Sequence, residues 1–354
     1  MSTQIADEQA APAHEPLTSK EGWRRFVDAA DPSASIAPPV DPTAAAPPPA
    51  SEDEARLGYH GRLAVAATPT VHQVTLTGRR LMVLNRHQIS ARRGLIVTGA
   101  AGTGKTTAIT QLGRAHELGQ RRRLPADADR LPVVYVTVPP AATPRMLAVE
   151  FARFLGLPIT RRSNITDVTE AVCGVLGRCG CDLVIVDEIH NLNLATRAGA
   201  EVSDQLKYFS ERLPATFVYA GIDVARSGLF AGTRGAQIAS RFATITTAGF
   251  ANGTAEQRRD WQSLIATLEQ MLRLREHRSG VLVDMADYLH HRTAGMIGSL
   301  SHLIRGAAID AIITGEEKIT GAGLDAVKLD HAAEHHHAAT PKGTGRVKRR
   351  DGAA

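Results

Sequence analysis

The sequence predicts an α/β fold, in which a five-stranded parallel sheet with flanking helices precedes a small C-terminal helical domain. Three observations support this prediction. Five short apolar runs alternate with helix-compatible segments, at residues 95–98, 133–137, 183–186, 216–220 and 243–246. A glycine-rich loop joins the first run to a helix-compatible segment at 107–118. From Thr254 onward the apolar spacing is helical, beginning with an amphipathic segment at 256–275.

The chain ends have a different composition from the middle. Residues 1–56 hold nine of the eighteen prolines, with ten acidic and four basic side chains, which predicts a disordered arm. Within it, Trp23, Phe26 and Val27 could share one face of a short helix that docks either a partner or the protein's own body, and the sequence leaves both open. The predicted organisation is an acidic Pro/Ala-rich disordered arm (1–56), an α/β domain that carries the glycine-rich loop (57–250), a small helical domain (251–330) and a disordered basic tail (331–354).

Composition limits the classes of function. The 354 residues carry a net charge of +5, and the acidic arm leaves the rest of the chain strongly basic. This fits a polyanion partner such as DNA, although ordinary solvated basic faces would give the same balance. No apolar run approaches the roughly 20 residues of a membrane span. The three cysteines and the polar start at Met1–Ala11 lead us to expect reduced thiols, no signal peptide and a cytoplasmic location.

The most specific motif is Gly99-x-x-x-x-Gly104-Lys105-Thr106, a phosphate-binding loop between a predicted strand and a predicted helix. Glycines let backbone N–H groups turn toward phosphate oxygens, and the helix N-terminus adds positive potential. Lys105 is expected to reach the β- and γ-phosphates, and the Thr106 hydroxyl to bind Mg²⁺. The residues expected to bind the nucleotide are Gly99, Ala100, Ala101, Gly102, Thr103, Gly104, Lys105, Thr106, Thr107 and Asp187.

A second nucleotide motif is the apolar strand that ends in Asp187-Glu188. In a parallel sheet these carboxylates emerge at the carboxyl end of the strand, where ligands bind. Asp187 is expected to hold Mg²⁺, and Glu188 to orient and polarise the water that attacks the γ-phosphate. His190 follows directly and is expected to support the site or lie at the surface.

These two motifs, an arginine before the last strand and a helical lid resemble the AAA+ ATPase pattern. That resemblance implies a nucleotide bound between neighbouring subunits. Arg241 matches the position of the arginine finger, whose guanidinium stabilises charge on the γ-phosphate of a neighbour.

Residues 60–310 are more specifically similar to the TniB/TnsC-type transposition ATPases, relatives of the IstB-like helper proteins. The stretches that carry this similarity are Thr68-Pro69-Thr70, Asn85-Arg86, Pro132-Val-Val-Tyr-Val with Pro139-Pro140, Asp187-Glu-Ile-His-Asn-Leu192, Tyr219-Ala-Gly, Gln237-Ile-Ala-Ser-Arg-Phe and Gly295-Met-Ile-Gly-Ser-Leu-Ser-His-Leu. The resemblance implies an ATP- and Mg²⁺-dependent regulator that assembles on DNA as a ring or filament and hands the target site to a transposase.

Two positions depart from the AAA+ pattern. Ile222, with Asp223 next, stands after the fourth strand, where a polar sensor residue is common. The lid arginine is also missing: Gly298-Ser299 stands near its position, and Arg305 lies about two turns further on. Both departures predict slow ATP hydrolysis, which would suit a timed switch between ATP and ADP states.

Alternative functions share the same nucleotide residues. One is an ATP-driven switch that acts on protein partners, as in secretion or signalling, without DNA. A small-molecule kinase is disfavoured because kinases usually avoid a water-activating carboxylate such as Glu188. For the DNA hypothesis, the candidate backbone contacts are Arg79, Arg80, Arg121, Arg122 and Arg123.

Overall fold

The computed structural model describes residues 15–29, 50–62, 65–123, 130–160, 163–192, 197–224 and 240–339. These residues form two compact units. The first takes the described residues of Met1–Ala30 and Ala67–Ala248, and the second those of Asp31–Ala66 and Gly249–Ala354. In chain order the helices are α1 (Lys20–Asp28), α2 (Ala50–Gly61), α3 (Pro69–Asn85), α4 (Lys105–Arg121), α5 (Pro144–Phe154), α6 (Ile165–Arg178), α7 (Arg197–Arg212), α8 (Ala255–Gln270), α9 (Val281–Asp284), α10 (Ala286–Thr293), α11 (Ile297–Ile313), α12 (Gly321–Ala326) and α13 (His331–Ala339).

The first unit is built on a five-stranded sheet in the order β2-β3-β4-β1-β5. Its strands are β1 (Gly94–Gly99), β2 (Val133–Thr137), β3 (Leu183–Asp187), β4 (Thr216–Gly221) and β5 (Phe242–Thr247). All four strand pairs are parallel, which confirms the predicted fold class. Every residue of β1 and of β4 is buried, as expected when helices cover both faces of a parallel sheet. This order brings the carboxyl ends of β1, β4 and β3 side by side at one edge.

Polar caps define where several helices begin. The Thr143 hydroxyl accepts a hydrogen bond from the Met146 N–H at 3.2 Å and caps the start of α5. Thr254 and Gln257 form a capping box at the start of α8. The predicted helix over 256–275 ends at Gln270 instead, because the chain turns there and the buried Glu269 carboxylate accepts the N–H groups of Gly280 and Leu282.

The prediction of a disordered arm over residues 1–56 is wrong for two segments. Helix α1 docks on the protein's own first unit, with the Trp23 and Val27 side chains almost fully buried, which decides the question that the sequence left open. Residues 50–56 lie in α2, which belongs to the second unit. The described residues of 57–66 also belong to that second unit, and the first unit ends at Ala248. The other residues of the arm lie outside the described chain.

Helix α2 is held in the second unit by a buried ion pair. Arg56, which is 6% exposed, donates to both carboxylate oxygens of Glu317 at 2.7 Å. Arg275 reinforces the pair through its backbone N–H, which donates to Glu317 at 3.2 Å. The sequence prediction missed α2 because its stabilising partners are more than 200 residues away, and its Ala- and Glu-rich sequence shows no strong apolar face.

The predicted disordered tail, 331–354, is also wrong at its start, where α13 forms. The Asp330 carboxylate accepts the Ala333 N–H at 3.1 Å, and the Glu334 carboxylate accepts the Leu329 N–H at 2.9 Å. Residues after Ala339 lie outside the described chain. Over the described residues no single helix has the length and hydropathy of a membrane span; α10 and α11 meet those criteria only as a pair, with a 115° bend between them.

Candidate nucleotide site

The loop between β1 and α4 has the backbone that its glycines permit. Gly104 caps α4 with a φ of 85°, in the left-handed region that favours glycine. At Gly99, an added Cβ would lie 2.1 Å from the carbonyl oxygen of Thr247, so only glycine allows this approach between the loop and β5. The loop therefore rests directly on the carboxyl end of β5.

Lys105, at the first position of α4, is drawn into the loop. Its ammonium donates to the carbonyl oxygens of Gly99 at 2.9 Å and Ala100 at 2.6 Å, and the residue is 9% exposed. Burial lowers the pKa of Lys105, while the nearby carboxylates of Asp187, Glu188 and Asp223 act in the opposite direction. Among the described residues its ammonium forms no ion pair. An ammonium without an ion pair beside a helix N-terminus fits a phosphate group.

Thr106 and Asp187, the two residues predicted to bind Mg²⁺, lie next to each other. The Thr106 hydroxyl donates to Asp187 Oδ2 at 2.8 Å, so a hydroxyl and a carboxylate from different elements lie in direct contact. Oxygen ligands of this kind suit Mg²⁺. The second carboxylate oxygen, Oδ1, accepts the Glu188 N–H at 2.8 Å.

Tyr135 is a site residue that the sequence analysis treated only as part of a strand. Its hydroxyl donates to Asp187 Oδ2 at 2.9 Å, the same oxygen that accepts from Thr106. The contact follows from the register of β2 and β3, because Thr137 pairs with Asp187 and Tyr135 points to the same face two residues earlier. A polar residue inside an otherwise apolar strand was the available signal.

Glu188 is held through His190. Glu188 has a left-handed backbone, with a φ of 58°, and its Oε2 lies 3.1 Å from His190 Nε2. The other ring nitrogen, Nδ1, accepts the Ile222 N–H at 3.2 Å. The neutral ring therefore carries its proton on Nε2 and donates it to Glu188. His190 thus links the Glu188 carboxylate to the backbone of Ile222, directly after β4.

Threonine side chains tie the phosphate loop to neighbouring strand ends. The Thr103 hydroxyl lies 2.6 Å from the Thr247 hydroxyl and donates to the Ala100 carbonyl at 2.8 Å. Thr98 accepts the Val224 N–H at 3.0 Å, which fixes the chain just after β4. These contacts were not predicted because threonine in a strand carries no local motif.

Arg241 lies at the amino-terminal end of β5, whereas the phosphate loop lies at the carboxyl-terminal ends of the strands. It immediately precedes β5, whose other end, Thr247, pairs with Gly99. At about 3.3 Å per residue, the six residues from Arg241 to Thr247 span roughly 20 Å. Arg241 lines a crevice with Tyr219 and Phe242, whose rings stack 4.9 Å apart. The structure therefore does not bring Arg241 to the phosphate loop of its own chain.

The other basic candidates differ in their surroundings. Arg79, Arg80, Arg122 and Arg123 are exposed. Arg121 is not a free surface cation, because it pairs with Asp28 and Glu117. In the second unit, Arg305 donates to the backbone carbonyls of His60 and Gly61 at the end of α2. Arg305 is thus occupied in holding α2.

The strand order and the grouping of Lys105, Thr106, Asp187 and Glu188 at one sheet edge define a P-loop fold of the AAA+ ATPase class. Residues 71–252, just over half of the chain, match the family described as Bacterial TniB protein, and the chain belongs to this family. The resemblance to TniB-type proteins drawn from the sequence is confirmed. No match was found among curated proteins.

Solved structures support the same fold. The chain is similar to the Aeropyrum pernix ORC2 protein in its ADP form, with a TM-score of 0.57, 18% identity, and coverage of 75% of this chain and 70% of that one. The ADPNP-ADP complexes of the same protein give a TM-score of 0.55, 17% identity, and 77% and 68% coverage. The A. pernix ORC1 protein in complex with DNA gives 0.52, 17%, and 75% and 64% coverage. The chain thus spans about two thirds of the length of these structures, and the likeness concerns the fold.

Proposed function

We propose that the protein is an ATP-dependent regulator of DNA transposition, which self-associates on DNA and recruits or activates a transposase. The observation that carries this proposal is the convergence of Lys105, Thr106, Asp187 and Glu188 at one sheet edge while Arg241 lies at the other. Membership of the TniB family supports the transposition role.

In the proposed reaction, water attacks the γ-phosphate of ATP and releases ADP and phosphate. Lys105 binds the phosphates through its ammonium, which already lies in the loop. Glu188, oriented by the Nε2–H of His190, directs the water and accepts its proton. Thr106 and Asp187 would hold Mg²⁺, which supplies charge neutralisation on the phosphates when it is bound.

The site is proposed to be completed by a neighbouring subunit. Arg241 is separated from its own loop by the length of β5, so it would serve the nucleotide of another copy. An arginine supplied in this way stabilises charge on the transferred phosphoryl group. We propose that hydrolysis is slow, because Ile222 provides no polar sensor side chain and Arg305 is held by α2.

DNA binding is proposed to depend mainly on phosphate contacts. The exposed arginines of α3 (Arg79, Arg80) and those after α4 (Arg122, Arg123) supply positive charge on a chain of net charge +5. Binding of this kind is weakly sequence-specific and falls steeply as salt is added. The solved ORC1 structure in complex with DNA shares the fold and is consistent with this role.

One observation favours the alternative of an ATP switch for protein partners. Three large aliphatic side chains on α3, Leu76, Val83 and Leu84, are each more than half exposed and lie among its arginines. DNA backbones offer nothing apolar to cover such side chains, whereas a protein surface does.

Electron microscopy with a non-hydrolysable ATP analogue, with and without duplex DNA, tests the proposal. We expect ordered assemblies that need both ATP analogue and DNA and that dissolve as salt is raised. Lys105→Ala is the matched control, since it keeps every exposed arginine but should not assemble on its own, without ATP-bound subunits beside it. Assembly with the analogue alone, unaffected by DNA, would favour the protein-partner switch. No assembly and no retention on DNA at low salt would contradict the proposal.

A further inference from the structure

Helix α1 is fixed to α4 by the Trp23 side chain. The indole is 0% exposed and occupies a slot above Gly113, where an added Cβ would lie 2.6 Å from the ring. Its Nε1–H donates to the buried Glu117 carboxylate at 2.5 Å. Both the apolar ring and the polar nitrogen of Trp23 are therefore held in one position.

The indole continues this contact toward the nucleotide site. Its ring stacks on Tyr135, with centroids 5.9 Å apart and an interplanar angle of 11°. Tyr135 is 5% exposed, and its hydroxyl donates to Asp187 Oδ2 at 2.9 Å. Two contacts thus connect an N-terminal helix to the carboxylate that would hold Mg²⁺.

The tyrosine is suited to orienting this carboxylate. A phenol hydroxyl is an ordinary hydrogen-bond donor, and that of Tyr135 donates to Asp187 Oδ2 from a buried position on the neighbouring strand. Groups that hydrogen-bond a metal ligand fix its orientation and influence metal affinity. Asp187 Oδ2 accepts two such bonds, one from Tyr135 on β2 and one from Thr106 on α4.

We propose that docked α1 supports the Mg²⁺ site beside the nucleotide. Trp23 and Tyr135 are positioning residues that set the Mg²⁺ affinity by orienting the Asp187 carboxylate. This inference rests on the proposed function. Because the contacts form one continuous series, docking of α1 and binding of the Mg²⁺–nucleotide complex are linked: whatever displaces Trp23 weakens Mg²⁺ binding, and Mg²⁺–nucleotide binding stabilises docked α1.

The test compares binding of a fluorescent ATP analogue to the full chain in EDTA and across a Mg²⁺ titration. For Tyr135→Phe, which removes only the hydroxyl, we expect the half-saturating Mg²⁺ concentration to rise about tenfold, within the 10- to 100-fold range of changes to a ligand's supporting partners. Binding in EDTA and the thermal unfolding midpoint should stay close to wild type. Trp23→Leu should raise the Mg²⁺ requirement several-fold, and Trp23→Phe, which keeps an aromatic ring, less.

A double substitution shows whether Trp23 acts through Tyr135 or only fills space in the core. If Trp23 acts through Tyr135, adding Trp23→Leu to Tyr135→Phe causes no further rise in the Mg²⁺ requirement. Trp261→Phe is the matched control, because Trp261 is a fully buried tryptophan of the second unit, where its indole donates to the Ala286 carbonyl. It should leave the Mg²⁺ titration unchanged.

Two results would overturn the inference: a wild-type Mg²⁺ titration for Tyr135→Phe, or additive effects of the two substitutions. A wild-type protein that binds no nucleotide, with or without Mg²⁺, would instead overturn the proposed function. The wild-type titration therefore distinguishes the two failures.

Discussion

Buried polar side chains serve different purposes in the two units. In the α/β unit, Lys105 and Asp187 are buried at one edge of the sheet and face an exposed loop. In the helical unit, Arg56 and Glu317 are buried and neutralise each other through two hydrogen bonds of 2.7 Å. The comparison teaches that burial of charge does not by itself mark a site. The first set leaves an ammonium without an ion pair among the described residues, whereas the second pairs its opposite charges directly.

This difference predicts that polar substitutions change ATP binding and turnover in the α/β unit, and the free energy of unfolding in the helical unit.

Arg241→Ala should show the largest effect, a loss of about 10³-fold or more in ATP turnover by the assembled protein. Steady-state phosphate release measures it. Mixing Arg241→Ala with Lys105→Ala should restore part of the turnover, because intact Lys105 sites then meet intact Arg241. If mixing restores nothing, Arg241 has a structural role within its own subunit.

Glu188→Gln should come next, with turnover reduced by roughly 10²- to 10⁴-fold. Glutamine keeps the size of the side chain but cannot accept the proton of water. Nucleotide affinity and the unfolding midpoint should remain at wild-type values, and the protein should accumulate as an ATP-bound assembly. Single-turnover kinetics together with calorimetric binding check both parts. Unchanged turnover would remove Glu188 from the proposed mechanism.

In the helical unit, Glu317→Ala should reduce the free energy of unfolding by about 3 to 5 kcal/mol, since it removes the buried partner of Arg56. Only the more exposed Asp53 then remains as a counterion. Chemical denaturation measures the change. The paired replacement Arg56→Met with Glu317→Leu is the control, because it removes both charges and should cost much less. Where the unit remains folded, the Mg²⁺ dependence of nucleotide binding should match wild type. A shift in that dependence would break the contrast between the units.

The smallest effect concerns pH. Burial lowers the pKa of His60 to about 4, and the cationic Arg273, Arg56 and Arg305 act in the same direction. The folded protein therefore resists protonation that the unfolded chain accepts below its ordinary pKa of 6.5. Stability from this residue is complete above pH 6.5 and declines as pH falls toward 4, by an amount on the order of 2 to 3 kcal/mol.

Denaturation of wild type and His60→Gln across this pH range provides the check. Glutamine retains an acceptor for the Arg273 N–H but does not titrate, so the difference between the two proteins should narrow as pH falls from 6.5 to 4. Parallel pH profiles would show that His60 is not the responsible group.

Local patterns in the sequence predicted the sheet, the phosphate loop and the Asp187-Glu188 strand end, because each depends on neighbours within a few residues. The contacts made by Trp23 and Arg56 were not predictable in this way. Trp23 meets Glu117 across 94 positions, and Arg56 meets Glu317 across 261. The role of Tyr135 required the register between β2 and β3, which no single-sequence pattern supplies. Roles assigned to the site residues stay predictions until they are measured.

The central claim is that one loop, centred on Lys105, binds ATP. Isothermal titration calorimetry of ATP with Mg²⁺ into wild type, Lys105→Ala and Lys207→Ala tests it most directly. Lys207 lies in the same unit on α7 and is partly exposed, so its replacement removes an equal charge away from the loop. We predict one site per chain in wild type and Lys207→Ala, and at least tenfold weaker binding in Lys105→Ala. Equal affinity in Lys105→Ala and wild type would contradict the claim.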